Sequence, residues 1–285
     1  MDKIIISDLE KFNKIKNNFI KDGIDKIHII ADFDGTLTKT NINKDGEDPS
    51  IISLLRSEKY NYLGEDYSNK AKELFNEYHP IEMDNSLDIK FRKQKMDEWW
   101  EKHLNLLIES KLKFEHIEKV ALCGVIQLKD GCRDLFVFSK EKNIPIVIMS
   151  ANGIGDTMSI YLNYNGCLFD NIYFITNHFT FDKDGFAIEY FLPVIHSLNK
   201  DETTVKDFDN IYSKVEDRKN VILIGDGIGD TKMAEGFDYN NLLKIGFLHE
   251  KQEENLEYYK NNYDVVLLED NSMEFINGFM KEILV

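Results

Sequence analysis

The chain has 285 residues, of which 42% are hydrophobic and 30% charged, with a formal net charge of −16. This is the composition of a globular protein, long enough for one large domain or a core with an insert, and it excludes a disordered chain. The acid excess argues against a sequence-independent nucleic-acid surface and against an anionic-membrane surface. Both need clustered Lys and Arg, so an anionic ligand has to be held by a metal or a few placed cations.

Ser7 followed by Glu10 predicts a capping box. Leu9, Phe12, Ile15 and Phe19 then recur at helical spacing up to a stop at Gly23. An apolar strand through Ile29-Ile30-Ala31 runs into Asp32-Phe33-Asp34-Gly35-Thr36-Leu37-Thr38. Residues 43–127 differ, being rich in helical periodicity and nearly free of strand signals. The pattern predicts a helix over Lys70–Tyr78 that stops before Pro80. It predicts a longer one from Ser86 to Leu112, with Phe91, Met96, Trp99, Trp100, His103, Leu104, Leu107 and Ile108 as its apolar stripe. This segment reads as a helical cap inserted after the first strand.

Beyond it, a helix over Gly131–Lys142 leads to the strand Ile144–Met149. A helix after Gly155, a strand over Asn171–Thr176 and a hairpin turning at Asp182-Lys183-Asp184-Gly185 follow. Further strands are predicted at Val221–Ile224, Leu242–Phe247 and Asp264–Leu268. Short, continuously apolar runs separated by helices predict an α/β fold, a Rossmann-like core with a parallel sheet covered by helices on both faces. The expected organisation is a core of residues 1–42 and 128–285, and a helical cap domain of residues 43–127.

Cys123, Cys132 and Cys167 are odd in number, widely spaced and without a CxxC, and read as reduced thiols. The first residues, MDKIIISDLEKF, hold only a short apolar run rather than a secretory signal. No apolar run approaches the roughly 20 residues that span a bilayer. A cytoplasmic protein is expected, with no membrane and no nucleic-acid partner.

Ligands of such sheets sit at the carboxyl ends of the strands, and the candidate motifs all fall there. Asp32 and Asp34 project from one face of a strand end. Two such carboxylates repel, and a divalent cation, which prefers oxygen ligands, offsets the repulsion. One can then attack an electrophile while the other works as acid and base. An ordinary Asx-type turn is the plain alternative. Ser150-Ala151-Asn152-Gly153 can cradle a phosphoryl oxygen or simply cap a helix. In Gly225-Asp226-Gly227-Ile228-Gly229-Asp230, Asp226 stands where a direct metal ligand would be. Asp230 can bind through water or cap the next helix. Lys200 is a candidate charge partner or a surface lysine.

In this order the four pieces resemble the four motifs of the haloacid dehalogenase-like (HAD) phosphatase superfamily. His196–Lys200, Asn220–Asp226, Lys244–Leu248, Tyr78–Glu82 and Glu98–Lys102 are similar to stretches of the cytosolic 5'-nucleotidase III, or pyrimidine 5'-nucleotidase, family. The resemblance runs over most of the chain. It implies a type C1 cap and a Mg²⁺-dependent 5'-nucleotidase acting on small-molecule nucleoside monophosphates, pyrimidine ones such as CMP and UMP or 7-methyl-GMP. It implies Asp32 as nucleophile, forming an aspartyl-phosphate, and Asp34 as acid and then base. Mg²⁺ would be held by Asp32, the Asp34 backbone carbonyl and Asp226. Ser150 and the Ala151 N–H would hold phosphoryl oxygens, and Lys200 would neutralise charge and position Asp32.

By the same resemblance Glu82 reads the base, and its carboxylate, an acceptor only, suits cytosine better than uracil. Trp100 stands where an aromatic ring meets the base, and a tryptophan suits the positively charged ring of 7-methylguanine. Trp99 and Trp100 face different ways, so at most one is expected against the base; cap-helix core is the other use for either. His103 takes the place of a family serine at the base-reading end, and Gly35 that of a bulkier residue of the vertebrate members. Two rival readings stand beside this one. The first is a HAD phosphatase for phosphoserine or a sugar phosphate. The second is a non-catalytic nucleotide-binding protein on the same scaffold.

Overall fold

The computed structural model describes residues 4–40, 50–84, 86–200, 208–249, 251–268 and 272–284. Strand β1 (Ile4–Ile6) precedes helix α1 (Leu9–Asp22), which leads to β2 (Ile27–Ala31). Four helices follow: α2 (Ile51–Arg56), α3 (Glu65–Met83), α4 (Ile89–Glu109) and α5 (Phe114–Ala121). The first residues of the expected cap, 43–49, lie outside the described residues. Next come α6 (Cys132–Glu141), β3 (Ile146–Ile154), α7 (Thr157–Tyr164) and β4 (Ile172–Asn177). A hairpin of β5 (Phe179–Phe181) and β6 (Ala187–Tyr190) turns where the sequence predicts it. The chain closes with β7 (Asn220–Gly225), β8 (Asn241–Leu248) and β9 (Val265–Leu268), with helices at Asp209–Val215, Gln252–Lys260 and Glu274–Glu282.

The main sheet has the order β1-β9-β8-β7-β2-β3-β4. Every pairing in it is parallel except that of β1 with β9. The runs Ile146–Met149, Val221–Ile224 and Val265–Leu268 are apolar at every position because both faces are covered. Ile29 and Ala31, Ile146 and Ile148, and Ile222 and Ile224 belong to one core cluster with Phe12, Phe19, Ile276 and Phe279 of the flanking helices. Their alternating neighbours Ile30, Val147, Val221 and Leu223 belong to the other, with Ile211 and Val215. The period-2 alternation of side chains thus divides each strand between two layers. The sequence-based expectation of a helix-covered parallel sheet describes this arrangement.

Three local expectations change. The cap of α1 is Asp8, which accepts from Lys11 N at 2.9 Å, rather than Ser7. The Ser7 hydroxyl donates to Tyr263 O at 2.7 Å and its amide to Asp264 O at 2.9 Å, because β1 pairs with β9 and carries Ser7 onto that edge. Helix α3 does not stop before Pro80 but runs on to Met83. An interior proline costs about 3 kcal/mol. Tertiary anchors on both sides of Pro80 oppose that cost: Tyr78 stacks on Trp99, with centroids 6.0 Å apart, and Arg92 donates to the Glu82 carbonyl. Strand β3 continues beyond Met149 through an irregular stretch to Ile154, so Ser150 lies within it.

Candidate active site

The site is assembled at the carboxyl ends of β2, β3 and β7. Asp32 follows β2, and its amide donates to Ile224 O at 3.0 Å, continuing the ladder with β7. Asp32 thereby sits beside the Gly225-Asp226 turn. Phe33 is fully buried on the opposite side, edge-on to Tyr161 at 6.1 Å. The Leu37 and Thr38 amides both return to Phe33 O and close the turn. Gly35 takes φ +76°, and a Cβ there would lie 2.3 Å from Asp226 Oδ2. A glycine allows the close approach of this loop to Asp226. His249 Nε2 contacts Gly35 O at 2.8 Å from the far side.

Lys200 is 5% exposed. It donates to Asp32 Oδ1 and, at 3.1 Å, to Asp230 Oδ1. The lysine that spacing alone reads as a surface residue is therefore buried between two carboxylates. Asp230 also accepts from the Asp226 amide at 3.2 Å and the Gly227 amide at 2.9 Å. Of the two uses left open for Asp230, the structure displays capping of its own loop, and it adds the pairing with Lys200. Asp226 Oδ1 accepts from Thr36 Oγ1 at 3.1 Å. Carboxylate oxygens of Asp32, Asp226 and Asp230 lie within 4.8 Å of one another.

Ser150 is buried; its Oγ accepts from Gly153 N at 3.0 Å and lies 3.5 Å from Asp34 Oδ2. The segment after it is held by Asn177, whose amide nitrogen donates to Ala151 O at 3.1 Å and Ile195 O at 2.9 Å. Asn177 Oδ1 accepts from Ile195 N at 2.8 Å. One buried amide thus clamps the Ser150 segment to the loop that carries Lys200. Sequence reasoning missed it, although a polar residue closing an apolar strand at its carboxyl end was a usable signal.

Four carboxyls, Asp32, Asp34, Asp226 and Asp230, surround one ammonium. Burial pushes Asp32 above the usual carboxylate range; Lys200 opposes this, and Asp230 and Asp226 add to it. Burial, then the charge of Asp32, raises Asp34 to about 7, and burial, then Asp230, raises Asp226 to about 7. Burial alone would lower Lys200, but Asp230 and Asp32 outweigh it and hold the ammonium above its ordinary range. Asp34 Oδ1 is buried without a hydrogen-bond partner. An under-neutralised, all-oxygen donor set fits a hard divalent cation.

These groups open into a cavity of about 570 Å³. Its core wall carries Asp34, Ala151, Asn152, Lys200 and Asp226; its helical wall carries Phe75, Glu82, Trp99, Trp100 and His103. Both tryptophans line it. Trp99 stacks on Tyr78, and Trp100 lies near-parallel to His103 with centroids 6.1 Å apart. His103 Nε2 is engaged with the Tyr67 hydroxyl at 3.0 Å. Burial, and then Arg56, lower its pKa to about 3, so the ring is neutral. Arg56 lies 4.1 Å over the Phe75 ring in the same wall. It belongs to the short helix α2, whose six residues are too few to display a period.

A helix-covered parallel sheet that gathers Asp32, Asp34, Ser150, Lys200 and Asp226 at its strand ends defines a phosphomonoester hydrolase of the HAD type. The chain matches the family described as Pyrimidine 5'-nucleotidase (UMPH-1) over residues 35–284, and it belongs to that family. It is 34% identical to the 7-methylguanosine phosphate-specific 5'-nucleotidase of Mus musculus over 263 residues, 92% of this chain and 86% of that protein. It is 34% identical to the Homo sapiens protein of the same description over 265 residues, 93% and 87% of the two chains. The crystal structure of cytosolic 5'-nucleotidase IIIB bound to cytidine superposes with a TM-score of 0.83 at 28% identity, covering 99% of this chain and 93% of that one. Phosphoserine phosphatase, at a TM-score of 0.53 and 17% identity, shares the fold.

Proposed function

We propose that this chain is a Mg²⁺-dependent phosphohydrolase of nucleoside 5'-monophosphates, taking 7-methyl-GMP and pyrimidine nucleotides such as CMP. The observation that carries this reading is one cavity that joins Asp34, Asp226 and Lys200, the last of which donates to Asp32, to an aromatic wall with a carboxylate, Trp99, Trp100 and Glu82. A phosphoserine or sugar-phosphate enzyme has no use for such a wall. In the same reading residues 43–127 form a cap that supplies the base-facing wall, and residues 1–42 with 128–285 form the catalytic core. A cytoplasmic location belongs to it as well, supported by three cysteines without disulfides.

Asp32 attacks phosphorus, and the bond from phosphorus to the nucleoside 5'-oxygen breaks. Asp34, raised to about 7, is protonated in part at neutral pH, and its protonated form gives the proton to that leaving oxygen. It then takes a proton from the water that attacks the aspartyl-phosphate, releasing phosphate and free Asp32. The Ser150 hydroxyl and Ala151 N–H orient phosphoryl oxygens, and Lys200 offsets their charge while holding Asp32 in line. Asp32, the Asp34 backbone carbonyl and Asp226 are the residues to hold Mg²⁺, which when bound stabilises the charge on the transferring group.

The test is phosphate release with Mg²⁺ from 7-methyl-GMP, CMP, UMP, AMP, GMP and phosphoserine, with Asp32→Asn as blank. The expected result is strong release from 7-methyl-GMP or CMP and little from phosphoserine. Activity on phosphoserine alone overturns the substrate assignment, and silence on every compound overturns the enzyme.

A further inference from the structure

The loop that ends in Lys200 meets the helices of the opposite wall at three consecutive residues, two by hydrogen bonds and one by packing. His196 Nε2 meets Asp97 Oδ1 of α4 at 2.9 Å. The Ser197 hydroxyl donates to Glu82 Oε1 at the end of α3. Leu198 packs on the cluster of Tyr78, Met96 and Trp99. The loop is internally braced: the Leu198 amide donates to His196 Nδ1 at 3.1 Å, and Asn199 Nδ2 donates to Val194 O at 2.7 Å. Because His196 Nδ1 accepts, Nε2 carries the hydrogen and donates to Asp97. Ser197 therefore projects toward Glu82 from a rigid mount.

We infer that Ser197 is a positioning residue for base selection, fixing the Glu82 carboxylate so that it receives a base edge bearing N–H donors. This rests on the nucleotidase reading above. A glutamate at a helix end is a flexible side chain, and ordering it costs up to about 2 kcal/mol. Here both ends of the residue are tied before any ligand arrives: Arg92 donates to its carbonyl and Ser197 to Oε1. Oε2 has no hydrogen bond among the described residues, and Glu82 and Ser197 both line the cavity. A carboxylate accepts hydrogen bonds and donates none. It suits the ring N–H and amino group of 7-methylguanine or the amino group of cytosine, and repels the carbonyl edge of uracil.

The experiment compares kcat and KM of wild type, Ser197→Ala and Ser197→Thr on two substrates with Mg²⁺. One is whichever of 7-methyl-GMP and CMP is turned over better; the other is ribose 5-phosphate, which has no base. Ser197→Ala is expected to raise KM for the nucleotide about tenfold, the loss of one charge-assisted hydrogen bond, with kcat within about twofold. Both constants for ribose 5-phosphate stay unchanged, and Ser197→Thr restores the nucleotide KM. If Ser197→Ala instead lowers kcat equally on both substrates, Ser197 only supports the Lys200 loop and the inference is overturned. A wild-type preference for the nucleotide that survives Ser197→Ala overturns the inference alone. A wild type with no preference over ribose 5-phosphate overturns the nucleotidase reading and the inference with it.

Discussion

Replacing Lys200 by methionine keeps most of the side-chain volume and removes the ammonium between Asp32 and Asp230, both of which are 6% exposed. Breaking a buried ion pair from one side costs about 3–5 kcal/mol, because the remaining charge is left uncompensated. Protonation limits the loss. A carboxyl with an unfolded pKa of about 3.9 takes up a proton in the folded state at pH 7 for about 4 kcal/mol, and at pH 5.5 for about 2 kcal/mol. The expected destabilisation in EDTA is therefore about 4 kcal/mol at pH 7, shrinking to about 2 kcal/mol at pH 5.5. At roughly 2–4 °C per kcal/mol, the pH 7 loss is a fall in Tm of about 8–16 °C. Urea unfolding in EDTA at the two pH values measures it. A loss below about 1 kcal/mol at pH 7, or one that grows as pH falls, would refute the claim that Lys200 neutralises buried carboxylates.

Three further outcomes follow from the same geometry. Asp32→Asn removes the proposed nucleophile and one of the crowded charges, so phosphate release falls to that of an enzyme-free control while Tm in EDTA is unchanged or higher, as a thermal melt beside the activity assay will tell. Asn177→Ala strands the Ile195 amide and two carbonyls in the interior, at a cost of about 2–4 kcal/mol in urea unfolding; a neutral substitution would discard the clamp. Burial holds His28 down at about 4, with its Nδ1 at 2.7 Å from Arg218 O. The unfolded chain binds a proton at His28 first as pH drops below about 6.5, so the histidine's contribution is complete above that pH and is lost as pH falls toward 4. Relative to His28→Gln, wild type should lose about 1.4 kcal/mol between pH 7.5 and 5.5, and parallel pH profiles would contradict the burial argument.

The parts legible in the sequence are those in which neighbours along the chain share one physical role. The runs Ile146–Met149, Val221–Ile224 and Val265–Leu268 are apolar at every residue because two layers cover them, and that continuity marks a parallel sheet. Asp32 and Asp34 are legible because two carboxylates one residue apart on a strand need a reason. The edge strand β1 escaped notice: three isoleucines next to charged residues carry no alternation, and their partner Val265–Leu267 lies at the other end of the chain. The extra turn of α3 past Pro80 depends on Arg92 and Trp99, contacts that propensity does not contain. Lys200 stood out only through family resemblance, since burial between Asp32 and Asp230 is decided by folding, not spacing. Asn177, Arg56 and Ser197 act on residues 18 to 115 positions away or across the cavity, beyond any local pattern.

The central claim is that Asp32 takes the phosphoryl group of a nucleoside 5'-monophosphate. It is tested most directly by borohydride reduction during turnover of 7-methyl-GMP or CMP, which converts a phosphorylated aspartate to homoserine, followed by peptide mass spectrometry. The account predicts homoserine at position 32, only with nucleotide present, and none in Asp32→Asn. Turnover with Asp32 unmodified, or with the modification at another carboxylate, would contradict it.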